Sequence, residues 1–316
     1  MRFRHAVGAL GLAIATALPA AGPAVADGSG GAAVAGRFTA TDFSSGSPAL
    51  VTLDPADGAV VATHARDAED GVLAPGGSQV AYIDRRDTCI PQPEGGCVYA
   101  RDLVVADADG GDPRVLVPGV EPETGEAPYV GHPDWSPDGR HILYDSPRGL
   151  EWVGADGTGR ELLTRGSRGT FSPDGRTIAF VRTTAYPTED GYEYGTDIHL
   201  LDTVTLEERQ ATTSRDIRST PVDWSPDGGT LVYATRYGLH VLDVATGATT
   251  DLHGGWQIPL SGFRNPVYSP DGGRIAFQAY DDTTGAGSVY AVDAGDGGNL
   301  EPVTDRPANL TDWLAG

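Results

Sequence analysis

One phrase recurs along the chain and limits what it can fold into. Ser-Pro-Asp-Gly occurs four times: in DWSPDGRHILYD from Asp134, TFSPDGRTIAFV from Thr170, DWSPDGGTLVYA from Asp223 and VYSPDGGRIAFQ from Val267. Each copy follows an aromatic residue and precedes an alternating apolar segment. Ser suits the first position of a type I β-turn, Pro presets φ at the second, and Asp suits the third. Gly then takes the left-handed conformation that closes a three-residue hairpin with a bulge. The phrase is therefore read as a structural joint between two antiparallel strands, used four times.

The spacing gives the unit. A worn copy, VLAPGGSQVAYI, places Ala74 in the Ser slot, and the terminal DWLAG places Leu314 there. Successive slots lie 62, 36, 53, 44 and 45 residues apart. A unit of about 45 residues with variable insertions matches a four-stranded propeller blade. After each joint comes an alternating strand, then a third strand ending in an Asp-rich turn such as LHVLDVATG, then a short fourth strand such as RELLTRG. Val, Ile, Tyr and Phe at period two, broken by Gly and Asp turns, predict an all-β chain. The C-terminus stops just after Asp312-Trp313, a first strand, and the N-terminal strands lack one. Pairing the Trp313 strand with Arg37–Phe43 would close the ring as a sixth blade and remove a free sheet edge. The expected fold class is a six-bladed β-propeller of four-stranded antiparallel blades.

WSPDG followed by an alternating strand and a V-x-D-x-x-x-G turn resembles the repeat of the TolB-type six-bladed propellers, also called WD-like β-propeller repeats. The resemblance covers nearly all of residues 36–316. It implies an exported binding module for a protein, small molecule or glycan. Similar propellers precede the hydrolase domain of prolyl oligopeptidases, and no Gly-x-Ser-x-Gly elbow occurs here. An extracellular lyase or hydrolase acting at the mouth of the central channel is the alternative. Some propeller lyases acting on pectin fragments use three histidines to hold a metal, and His64, His132 and His253 are the corresponding candidates, although their spacing carries no signature.

The N-terminus fits export. Basic Arg2 and Arg4, the apolar run AVGALGLAIATALPA and the small-x-small Ala24-Val25-Ala26 predict a secretory signal over 1–26, cleaved near Ala26. Residues 27–35 then form a short flexible leader, and 36–316 the propeller. The expected location is secreted, periplasmic or cell-envelope. No later run is long and apolar enough to predict membrane insertion. With 44 acidic against 22 basic residues, all of them Arg, the net charge of −22 repels phosphate backbones and argues against nucleic acid. A monomer is expected. Cys89 and Cys97, the only cysteines, suit a disulfide in an exported chain.

Candidate site residues fall in two places. The aromatics Trp135, Phe171, Trp224, Tyr268 and Trp313 should pack between blades. The residues before them, Val72, Asp134, Thr170, Asp223, Val267 and Asp312, should face the channel. Asp134, Asp223 and Asp312 come from alternate blades. They could hold a calcium ion on the axis, or accept backbone hydrogen bonds. In the geometry of the resembled family, the long connections 85–98, 117–132, 183–196 and 251–265 share the face opposite the SPDG turns. They carry Tyr129, Tyr186, Tyr192, Tyr194 and Trp256 with Glu189 and Asp190, which suits partner binding or plain solvation.

Overall fold

The computed structural model describes residues 36–91, 96–119, 129–189, 191–218, 220–254 and 259–315, with backbone alone at 87–89 and 253–254. Its 24 strands form six antiparallel four-stranded sheets, and no helix occurs among the described residues. The chain opens with β1 (Arg37–Asp42), β2 (Ala49–Leu53) and β3 (Val60–Arg66). Blade 1 holds β4 (Ala68–Leu73), β5 (Gln79–Pro91), β6 (Cys97–Asp107) and β7 (Arg114–Val117). Blade 2 holds β8 (Gly131–Trp135), β9 (His141–Ser146), β10 (Gly149–Gly154) and β11 (Glu161–Thr164). Blade 3 holds β12 (Ser167–Phe171), β13 (Thr177–Thr188), β14 (Gly191–Asp202) and β15 (Glu208–Gln210). Blade 4 holds β16 (Asp223–Trp224), β17 (Thr230–Ala234), β18 (Gly238–Asp243) and β19 (Thr249–Gly254). Blade 5 holds β20 (Leu260–Tyr268), β21 (Arg274–Asp281), β22 (Gly287–Asp293) and β23 (Glu301–Thr304). The last strand, β24 (Ala308–Leu314), pairs with β1 and completes blade 6 in the order β24-β1-β2-β3. Phe38 pairs with Trp313, as the closure reading requires.

The SPDG joints form as their chemistry dictates. In blade 2 the Gly139 N–H donates to Ser136 O (2.8 Å), and Ser136 Oγ donates to Asp138 Oδ1 (2.7 Å). The His141 N–H in turn donates to Ser136 Oγ (2.9 Å), and Gly139 has φ 69°. Ser172, Ser225 and Ser269 repeat the Ser–Asp bond at 2.6–2.7 Å. The joints also touch one another. A methyl group on Gly175 would lie 3.5 Å from Pro137 Cδ, on Gly228 3.7 Å from Pro173 Cδ, and on Gly272 3.4 Å from Pro226 Cδ. The Pro of one joint thus lies beside the Gly of the next.

Packing between blades comes from the residue pair before the joint. Trp135, Phe171, Trp224, Tyr268 and Trp313 are all buried. On blades 2 and 4 the pair is Asp-Trp, and it reaches both ways. Trp135 Nε1 donates to Val72 O of blade 1 (3.3 Å), while Asp134 Oδ2 accepts the Phe171 N–H of blade 3 (2.8 Å). Trp224 Nε1 donates to Thr170 O of blade 3 (3.3 Å), and Asp223 Oδ2 accepts the Tyr268 N–H of blade 5 (2.7 Å).

Two connections differ from the sequence reading. The described parts of 85–98 and 183–196 extend the hairpins β5–β6 and β13–β14 as paired strands. Pro91 pairs with Cys97, and Thr188 with Gly191. Cross-strand pairing continues beyond the blade because the β-formers Tyr186, Thr188, Tyr192 and Tyr194 continue with it.

Candidate functional site

A cavity of about 620 Å³ runs along the axis and is lined by residues from all six blades. Its inner layer contains Val72, Asp134, Thr170, Asp223, Val267 and Asp312, as strand alternation predicts. Burial pushes the Asp134 carboxyl up to about 7, against the Phe171 hydrogen bond that pulls it down, and the nearby Asp312 charge adds to the rise. Burial likewise raises Asp223 to about 8, with Asp312 and Asp134 contributing, and raises Asp312 to about 6. The open channel touches each carboxyl, but protein encloses the remaining sides, and enclosure dominates. Asp312 Oδ1 accepts the N–H of Trp313 (2.7 Å). All three therefore accept a backbone hydrogen bond. Among the described residues, no group of three or more His, Cys, Asp or Glu is arranged to hold a metal ion.

The second layer lies at the mouth, on the face away from the SPDG joints. The first strands of blades 1, 2, 3 and 5 each carry a register shift there. At each shift one residue adopts a left-handed φ: Asp70 (49°), His132 (49°), Arg168 (56°) and Asn265 (47°). Such bulges re-aim side chains at sheet rims, and all four residues line the cavity. Asp and Asn tolerate this conformation, whereas it strains Arg168; strain of this kind collects at functional positions.

The mouth residues are wired together. His132 Nδ1 lies 3.0 Å from Asp145 Oδ2, and Arg168 Nη1 lies 2.6 Å from His132 Nε2. Arg has only donors, so His132 Nε2 accepts from Arg168, and Nδ1 faces Asp145. The other Asp145 oxygen accepts the Arg168 N–H (2.7 Å). Tyr129 OH reaches His132 Nδ1 at 3.2 Å, and burial together with the Asp70 and Asp145 charges holds its phenol up at about 12. Asp70 Oδ2 is 3.7 Å from His132 Nε2. Across the channel, Asn265 Nδ2 donates to Gln278 Oε1 (2.8 Å), which also accepts the Leu310 N–H of blade 6 (3.3 Å). A His–Asp pair beside a guanidinium at the rim of a cavity can orient a ligand, accept its proton or hold its negative charge.

Sequence reading named Tyr129 and His132 but placed neither beside the other, and it passed over Asp70, Asp145, Arg168 and Asn265. A signal was there: Asp70-Gly71-Val72, His132-Pro133-Asp134, Arg168-Gly169-Thr170 and Asn265-Pro266-Val267 all read polar, then Gly or Pro, then channel residue.

The other candidates are dispersed. Tyr192 and Tyr194 stand 70% and 71% exposed near the tip of β13–β14, and Glu189 is exposed at the turn. Tyr186 is held by Arg215, whose guanidinium stacks 3.7 Å from its ring centroid, and by Asp197 (3.3 Å). Asp190 and Trp256 lie outside the described residues, as do the side chains of Cys89 and His253. The backbone places Cys89 opposite Tyr99 and Cys97 opposite Pro91, diagonal across β5–β6. His64 corrects the histidine reading. It is buried within β3, between Thr52 Oγ1 (2.7 Å) and Ala108 O (2.5 Å), so both ring nitrogens are occupied.

No family model matches the chain. The chain is 30% identical over 196 residues to the uncharacterized protein Atu1656 of Agrobacterium fabrum, covering 58% of this chain and 60% of that protein. Among solved structures, TolB from Acinetobacter baumannii superposes with a TM-score of 0.53 at 21% identity, over 72% of this chain and 53% of TolB. A chain of the nidogen/laminin complex gives 0.56 at 14% identity, over 88% and 96%. An oligogalacturonate lyase in complex with manganese gives 0.50 at 16%, over 79% and 83%. The chain thus spans about half of TolB and three fifths of Atu1656. At these identities the structural likeness is one of fold alone, a six-bladed propeller.

Proposed function

We propose that this chain is an exported propeller that binds a protein, small-molecule or glycan ligand at the channel mouth and its flanking hairpins. The observation that carries the reading is the mouth itself. It is a cavity on the axis of the ring, rimmed by half-buried polar side chains that left-handed bulges aim inward. Rigid scaffolds that present polar groups around a concave site are the usual form of a ligand site. The exposed Tyr192 and Tyr194 on β13–β14 add an aromatic surface suited to a protein partner. TolB and the nidogen/laminin complex supply the analogy, and residues 1–26 supply the export signal.

The test uses residues 27–316 as bait against secreted and envelope proteins and against a glycan array. Parent, His132→Ala/Asn265→Ala and Tyr192→Ala/Tyr194→Ala proteins are compared. Capture that falls at least about tenfold in either variant supports the reading, since tenfold corresponds to about 1.4 kcal/mol. Capture that neither variant changes rejects it.

The His132–Asp145 pair favours a second reading, an extracellular lyase or hydrolase. Incubation with acidic oligosaccharides and peptides, followed by ultraviolet absorbance and mass spectrometry, tests it. Turnover that His132→Gln removes would make the protein an enzyme. Calcium held by Asp134, Asp223 and Asp312 is a further proposal, and it would compete with their protons and hydrogen bonds. It requires calcium to raise the melting temperature of the parent but not of the triple Asn variant.

A further inference from the structure

We propose that the channel mouth is a carboxylate site, with Arg168 receiving the carboxylate and Arg264 supplying a second positive charge. The proposal rests on the mouth being the ligand site and adds the chemical class of what enters it.

The argument begins from charge. Acidic residues outnumber arginines two to one in this chain, 44 to 22. Several guanidiniums answer carboxylates: Arg148 and Arg160 meet buried Glu151, and Arg306 meets Asp42. Arg168 and Arg264 both line the cavity, and among the described residues neither forms an ion pair. A guanidinium with no carboxylate, at the rim of a cavity in an acid-rich protein, lacks the partner that its fork fits best.

Arg168 is also held in place. Its backbone N–H is fixed on Asp145, and one guanidinium N–H is fixed on His132, whose ring Asp145 orients. Of five guanidinium donors, this leaves four for a ligand. Arg264 is held differently. Its Nη1 donates to Tyr280 OH (3.0 Å), and its guanidinium lies 4.8 Å from that ring centroid.

Unpaired buried donors point the same way. Such atoms are few in folded proteins, and each calls for an explanation. Among the described residues, the buried side-chain atoms without a partner are Thr39 Oγ1, Thr220 Oγ1, Arg264 Nε and Arg274 Nε. Thr220 and Arg264 both line this cavity. A bound anion would explain two of the four.

The surroundings select a single negative charge. Burial keeps the Asp223 carboxyl at about 8, so the channel floor beneath the mouth is partly protonated at neutral pH. Asp70 and Asp145 stand at the rim beside His132, and their negative charges disfavour a phosphate dianion more than a monoanion. A carboxylate matches the Arg fork and carries one charge. It could come from an acidic sugar or small organic acid, or from a peptide C-terminus.

The mature protein is titrated with benzoate, with benzamide as the uncharged isostere and with inorganic phosphate, following the arginine Nε–Hε resonances. Saturable shifts at Arg168 with benzoate, about tenfold tighter than with benzamide or phosphate, are expected. Arg168→Met should weaken benzoate about tenfold and Arg264→Met less. The bond from backbone 168 to Asp145 survives either change. Arg168→Lys, which keeps charge and loses the fork, should fall between parent and Met. Peptides as free acids against C-terminal amides, and galacturonate against its methyl ester, then identify the source. Equal binding of benzamide, tighter binding of phosphate, or benzoate binding unchanged in Arg168→Met overturns the carboxylate proposal. So does benzoate that shifts no mouth resonance. If capture still responds to His132→Ala/Asn265→Ala, the mouth stands as the ligand site while its carboxylate chemistry falls. Capture indifferent to those variants removes the mouth itself.

Discussion

The half-buried channel aspartates and the hydrogen-bonded Glu151 should together give this protein a stability maximum in acid. Asp134 and Asp223 have folded values of about 7 and about 8 against an ordinary 3.8, because burial favours the neutral form. The folded state therefore holds protons that the unfolded state has released, and stability falls as pH rises from about 4 through about 8. Glu151 works in the opposite sense. Burial raises it, but hydrogen bonds from Arg148, Arg160, Ser146 and Tyr144 outweigh that and lower it to about 2, against an ordinary 4.5. Its contribution is present above about pH 4.5 and is lost as pH falls through about 2. Melting temperature should therefore peak near pH 4 and decline on both sides. Asp223→Asn keeps the oxygen that accepts the Tyr268 N–H and removes the titration. It should make the alkaline limb shallower, with Asp134 still titrating, and leave the acid limb unchanged. A parent protein as stable at pH 8 as at pH 5 would show that these carboxyls stay ionised in the fold.

Element by element, legibility followed how local the physics is. Turn chemistry is local, and Ser136-Pro137-Asp138-Gly139 predicts its own hydrogen bonds. Alternation is local too, and it placed the buried aromatics and the channel residues correctly. The left-handed bulges were missed because pairing against β5, β9, β13 and β21 sets them, and no residue type there requires φ above zero. The Asp145–His132–Arg168 network was missed for the same reason, since it spans blades 2 and 3. The long hairpins are harder to read, because Gly, Pro and Asp at their tips interrupt the run of β-formers that continues the pairing. One of them carries the cysteine pair. With Cys89 opposite Tyr99 and Cys97 opposite Pro91, a diagonal crosslink would brace the β5–β6 tip. Mass spectrometry of unreduced protein should show a linked peptide pair, contributing about 2–3 kcal/mol through the short loop it closes. Two free thiols after export would refute it.

At the scale of the whole molecule, one seam decides whether six blades make a ring. β24 comes from the far end of the sequence and pairs with β1 from Arg37↔Leu314 to Asp42↔Ala308. The seam is reinforced by Phe38 and Trp313, with ring centroids 4.8 Å apart, and by the Arg306–Asp42 ion pair at 2.9 Å. Thr311 Oγ1 also donates to Gly71 O of blade 1 at 2.7 Å, so β24 ties blade 6 to the next blade as well. Each of these contacts closes a loop of well over two hundred residues, the slowest kind to form. Closure should therefore come late in folding, and the seam should be the first place where the ring opens. Residues 309–312 also wall the axial cavity, so an open ring loses the mouth. Removing 309–316 leaves the β1 edge unpaired and exposes Phe38, which invites aggregation. The truncated protein should lose cooperative unfolding or precipitate on refolding. Trp313→Ala, which keeps the strand and removes its largest buried side chain, should cost about 3–5 kcal/mol yet unfold in one transition. A truncated protein that melts like the parent would mean that the ring does not depend on this seam, and that the mouth is held by the blades individually.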